Sequence, residues 1–124
     1  MVSYTIMLSE IEKKIESTEK ALQSIGYSVG AVSAREFYDY LTGETFTRDT
    51  TTVADVVGNE YLMVHELVEI NELKQKGRII DKRVVVDSPK TVIYDAHFTA
   101  IGNRTGVRVA QERLLLDQNP ITAT

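Results

Sequence analysis

Three features of the chain predict an all-α fold, a helical bundle of four to five helices with a central buried helix near 53–76. Apolar residues recur at helical spacing, capping patterns punctuate the chain, and only Pro89 and Pro120 interrupt 124 residues. The length admits one domain of ordinary size, so 1–124 reads as a single helical domain with residues 1–2 and 118–124 frayed at its ends. At 43% hydrophobic the composition supplies a real core.

The first helix carries Tyr4, Leu8, Ile11, Ile15, Thr18, Leu22 and Ile25 at alternating spacings of four and three, a heptad-like stripe. Ser3 is placed to cap its start, and Gly26 to take the left-handed conformation beyond its end. "YSVGAVS" connects to a second helix, Ala34 to Thr42, opened by Ser33 and Glu36 in a capping-box pattern and stopped by Gly43. The threonine-rich stretch "GETFTRDTTT" reads as an exposed loop, because its residues disfavour helix and its polarity disfavours burial.

Thr52 and Asp55 form a second capping-box pattern, opening a helix that runs to Lys76, with Gly58-Asn59 either kinking it or delaying its start. Gly77 ends it. "RIIDKRVVVD" has valines that favour strand but no partner strand, so it is read as a connector or helical turn. Pro89 starts a last helical stretch to Asp117, and "GNRTG" leaves open whether that stretch is one helix or two. Its small residues Thr99, Gly102, Gly106 and Ala110 form a row along which another helix is expected to approach closely.

Charge and composition exclude several functions. A net charge of −4 with no run of Lys or Arg argues against nucleic-acid binding, which needs cations against phosphates. The absence of cysteine removes disulfides, thiolate metal sites and cysteine nucleophiles. No apolar run is long enough to span a bilayer and the start lacks a signal-peptide pattern, so a cytoplasmic protein with no membrane partner is expected.

The stretch "EYLMVHELVEINELKQKG" concentrates the chemistry. At about 100° per residue, Tyr61, Met63, Val64, Leu67, Val68 and Ile70 cover one half of the helix, while His65, Glu69, Glu72 and Lys76 fall within about 60° on the other. Leu62, Leu73 and Glu66 sit beyond that polar stripe, so apolar residues flank it on both sides, which predicts a helix covered nearly all round. Buried charge must then be paired or bound. Lys76 or one of Arg104, Arg108 and Arg113 would pair with the glutamates in a structural network. Alternatively a divalent ion, Mg²⁺, Mn²⁺ or Zn²⁺, would sit on His65 and Glu69, which are four residues apart. If the small-residue face of the last helix packs on the stripe, Asp95 joins His65, Glu69 and Glu72 as a metal set, while His97, about 200° from Asp95, turns away.

"HELVE" resembles the H-E-x-x-H helix of zinc metalloproteases, with Glu69 standing where the second histidine belongs, and that activity is not carried over. The stacked acids Glu66, Glu69 and Glu72 resemble the magnesium-binding helix of all-α nucleoside-triphosphate pyrophosphohydrolases. That family pairs the helix with a second E-x-x-D, and here Glu112 and Asp117 are wrongly spaced. The E-x-x-H of ferritin-like di-iron proteins is absent in that order.

Two functional readings follow. The first is a non-catalytic assembly or interaction module in which the His/Glu stripe is a structural polar network. The second is a divalent-metal-dependent hydrolase of a phosphoester or nucleotide pyrophosphate using His65, Glu69, Glu72 and Asp95. A homodimer or higher homo-oligomer is expected under either, because the first helix, the small-residue row and the all-round apolar helix offer more apolar surface than one small bundle hides.

Overall fold

The capping signals resolve into six helices in the computed structural model, which describes residues 3–45 and 51–118. In order they are α1 (Tyr4–Gln23), α2 (Ala34–Thr42), α3 (Val53–Val57), α4 (Glu60–Gln75), α5 (Val84–Asp87) and α6 (Lys90–Gln118). No strand occurs among the described residues, so the bundle is all-α.

Local chemistry explains the boundaries. The Ser3 hydroxyl accepts from the Ile6 amide, and Gly26 takes the left-handed conformation at φ 85° just past α1. Reciprocal capping boxes, Ser33 with Glu36 and Thr52 with Asp55, open α2 and α3. The expected 53–76 helix is two helices. Asn59 leaves the helical conformation and its Oδ1 accepts from the amides of Tyr61 and Leu62, so it recaps the chain after Gly58. The valine run is the helical turn α5. Beyond Pro89 a single 29-residue helix runs through Gly102 and Gly106 without a break. No proline follows Pro89 within it, and packing on α4 offsets the intrinsic cost of the glycines. The threonine-rich loop lies partly, and the chain end beyond Gln118 wholly, outside the described residues.

Helix α4 is the centre, as its pattern predicts. Met63, Val64, Leu67, Val68, Ile70 and Leu73 are buried, with His65, Glu69 and Asn71 buried beside them. Helices α1, α2, α3 and α6 pack against it, and α4 with α6 is the most extensive pair. The two run antiparallel. Tyr61 near the start of α4 bonds to Gln111 at 2.8 Å, while Lys76 at its end lies 3.7 Å from Asp95.

The packing face of α6 differs from the expectation. Ala96, Ala100 and Val107 are the buried residues, whereas Asp95 and Gly102 are exposed and a side chain at Gly102 would meet nothing within 4 Å. Of the two glycines in the small-residue row only Gly106 lies close to a neighbour: a Cβ there would stand 3.1 Å from Ile25 Cδ1, beyond the end of α1. The row of small residues contributes little apolar surface. Turning α6 by about 100° buries methyl groups instead, and apolar burial decides the orientation.

The middle of the heptad-like stripe of α1 is used inside the chain: Ile11, Ile15, Thr18 and Leu22 are buried, while Tyr4 at its start is exposed. Helix α4 is covered by its neighbours, and α1 keeps Tyr4 and Ile6 exposed at its start. Most of the exposed large apolar side chains lie on α6, at Tyr94, Phe98, Val109 and Leu114 to Leu116, with Tyr4, Ile6, Ile79 and Val86 exposed elsewhere.

Candidate metal centre

Helical spacing brings the first two site residues together. His65 and Glu69 stand one turn apart on α4, and the longer glutamate leans back over the preceding turn. Their side chains meet at 2.8 Å, His65 Nε2 to Glu69 Oε2. Both residues are buried, His65 at 6% and Glu69 at 8% exposure.

Two further residues arrive from other helices. Tyr40 comes from α2, which is held by Phe37 in the core and by the Lys74–Glu36 ion pair at 2.9 Å. Its hydroxyl donates to Glu69 Oε1 at 2.7 Å. His97 comes from α6, one residue past the buried Ala96. Its Nδ1 lies 2.8 Å from Glu69 Oε2 and 3.1 Å from His65 Nε2. The two imidazoles meet edge to face, with centroids 4.8 Å apart.

The stripe thus divides. His65 and Glu69 belong to the cluster. Glu72 does not: it accepts from the Tyr27 hydroxyl at 2.6 Å, and Tyr27 in turn accepts from Asn71 at 2.8 Å. This second network ties the α1–α2 connector to α4, since Asn71 Oδ1 also accepts from the Gly30 amide at 2.9 Å. Asp95 stands on the outside of α6 beside Lys76, with its side chain 71% exposed. His97, expected to turn away, takes the position expected of Asp95, because the face of α6 that packs on α4 is the one centred on Ala96, Ala100 and Val107. Among the described residues neither Lys76 nor Arg104, Arg108 or Arg113 pairs with Glu69 or Glu72. Among the described residues Glu69 is served by a tyrosine and two histidines, while Arg104 and Arg108 line a separate groove with Asn59, Tyr61, Leu62 and Thr105.

The electrostatics of the cluster are those of a stabilised anion. Burial by itself pushes the Glu69 carboxyl up. The hydrogen bond and charge of His65, with bonds from His97 and Tyr40, outweigh burial and hold it below the ordinary carboxylate value. Tyr40 is pushed well above its ordinary value by burial first, then by the charges of Glu69 and Glu66, so it remains a phenol donor at neutral pH.

Protons alone serve this arrangement poorly. If both histidines donate to Glu69 Oε2, two N–H dipoles face each other across 3.1 Å. A cation removes the crowding, because the three atoms then turn lone pairs toward one point. With separations of 2.8, 2.8 and 3.1 Å, an ion about 2.1 Å from each atom would stand roughly 1.3 Å above their plane, at ligand–metal–ligand angles of about 84–95°. Angles of that size would suit an ion that takes three protein ligands on one side.

Beside the cluster is a cleft of about 320 Å³ whose wall includes Tyr40, Glu66, Ile93, Tyr94, Gly43 and Val85. Gly43 is required there. A Cβ at this position would lie 2.6 Å from the Lys82 carbonyl oxygen, and the adjoining Glu44 amide donates to that same oxygen at 2.7 Å. Arg83 pairs with Glu44 and, at 3.1 Å, with Asp87, joining the end of α2 to α5 along the cleft's edge. No helix among the described residues is long and apolar enough to cross a membrane. Comparison with known proteins returned no matching family model, no matching curated protein and no matching solved structure.

Proposed function

We propose that this helical protein binds one divalent transition-metal ion, held by His65, Glu69 and His97 at the base of the cleft. The convergence of His65 Nε2, Glu69 Oε2 and His97 Nδ1 carries this reading. Two imidazoles and one carboxylate suit Zn²⁺, Mn²⁺ or Fe²⁺ better than Mg²⁺, which takes oxygen ligands. Glu69 ligates through Oε2 because Tyr40 occupies Oε1. An ion held by these three residues beside the cleft would supply Lewis-acid chemistry and would acidify water. Hydrolysis is therefore the reaction class, with phosphoesters and pyrophosphates as the substrates to assay first.

Equilibrium dialysis of EDTA-stripped protein against Zn²⁺, Mn²⁺, Fe²⁺ and Mg²⁺ tests the proposal. One tightly held transition-metal ion per chain, lost in His97→Ala, is the expected result. No bound ion in the wild type sinks it.

One observation favours a second reading, a purely structural network in an assembly module. Both carboxylate oxygens of Glu69 already accept hydrogen bonds without any ion. On that reading no divalent ion binds, and the cluster serves to fix the register of α2, α4 and α6.

A further inference from the structure

We infer that the outer face of α6 pairs antiparallel with α6 of a second copy of this chain. Opposite its packed face, α6 carries Tyr94, Phe98, Ile101, Thr105, Val109 and Leu116 in one stripe at spacings of three, four and seven. Phe98 is 66% exposed and Leu116 68%, large values for residues of that size on a helix otherwise packed against a core. The helix is also longer than its support. Its inner side meets α4, which is only 16 residues long, and all of 112–116 is exposed, including Leu114 and Leu115. Pairing a stripe of this length buries about 600–800 Å² per chain, near the ~800 Å² per partner of a stable interface.

Charge on the flank of the stripe selects a second copy, and its orientation. Asp95 and Arg113 are eighteen residues apart, five turns at about 100° per residue, so they stand on the same flank near opposite ends of α6. In an antiparallel helix pair like flanks face each other. A two-fold axis near residue 104 therefore sets Asp95 against Arg113 of the second copy and Arg113 against its Asp95, and brings Phe98 level with Val109 across the seam. Among the described residues Asp95 has the 3.7 Å contact to Lys76 as its only ion pair, and Arg113 has none.

Sedimentation equilibrium of the whole chain tests the pairing. The wild type is expected to be a dimer at low micromolar concentration, and Phe98→Glu, exposed and away from α4, a monomer of unchanged helicity. Asp95→Arg or Arg113→Asp alone sets like charges together twice per dimer and is expected to weaken association about tenfold or more. The two exchanged together restore it. A wild type monomeric at about 100 μM, where even weak dimers assemble, overturns the inference. So does a dimer indifferent to Phe98→Glu, or a double exchange that fails to restore association.

Discussion

His97 Nδ1 lies 2.8 Å from Glu69 Oε2, across 28 residues of sequence and from a different helix. This contact turns a helical i,i+4 pair into a three-atom constellation. A His–Glu pair on one helix is a common surface feature. The same pair buried, capped by a tyrosine on one carboxylate oxygen and joined by a second histidine on the other, converges on a single point.

Changing Glu69 should have two separable effects. Glu69→Gln removes the charge that His65, His97 and Tyr40 are arranged to serve, and its amide N–H groups face donors. The ion-free protein should lose roughly 1–3 kcal/mol of stability in denaturant unfolding, and any rise in melting temperature with Zn²⁺ or Mn²⁺ should vanish.

The two histidines should differ in structural cost. The His97 side chain is 45% exposed and that of His65 only 8%. His97→Ala should abolish ion binding while changing ion-free stability by no more than about 1 kcal/mol, whereas His65→Ala should abolish binding and also cost about 1–3 kcal/mol through the cavity it leaves. Glu72→Gln and Asp95→Asn should leave ion affinity, measured by calorimetric titration, at the wild-type value.

Tyr40→Phe should leave the ion bound, because Oε2 and both imidazoles are untouched. Loss of the hydroxyl strands Glu69 Oε1 in a buried setting and should cost about 1–2 kcal/mol by chemical denaturation. Loss of ion binding in this variant would instead place the phenol among the ligands.

Acid should unfold the protein partly through Glu69. Its folded-state pKa is lowered, so its contribution is fully present above the unfolded carboxyl value of about 4.3 and is lost as pH falls below that through the folded value. Stability measured in metal-free buffer from pH 6 down to pH 2 should fall steeply below about pH 4, and the Glu69→Gln curve should be flatter over that window.

Gly43→Ala should be destabilising out of proportion to one methyl group. The added carbon would meet the Lys82 carbonyl oxygen at 2.6 Å and Lys82 Cα at 2.9 Å, both backbone atoms with little freedom to move. A loss of about 1–3 kcal/mol is expected in urea unfolding.

The amino-acid sequence by itself determined whatever depends on neighbours within a few residues. Ser33 with Glu36, Thr52 with Asp55, and Gly26 and Gly77 set helix ends through local hydrogen bonds and local backbone freedom, and each does so in the folded chain. The burial of α4 was equally legible, because apolar residues surround its axis. The stacking of His65 on Glu69 followed from helical spacing alone. What only the tertiary structure decided is which side of α6 meets α4. That helix is apolar on two sides, Ala96, Ala100 and Val107 on one and Tyr94, Phe98 and Val109 on the other, with a row of small residues between them. Periodicity cannot choose among three candidate faces. The available signal was the spacing of Ala96, Ala100 and Val107, small methyl-bearing residues that let α6 lie close to α4 while still burying carbon. Packing chose that face, and the rotation of about 100° that it entails carried Asp95 out to solvent and brought His97 onto Glu69.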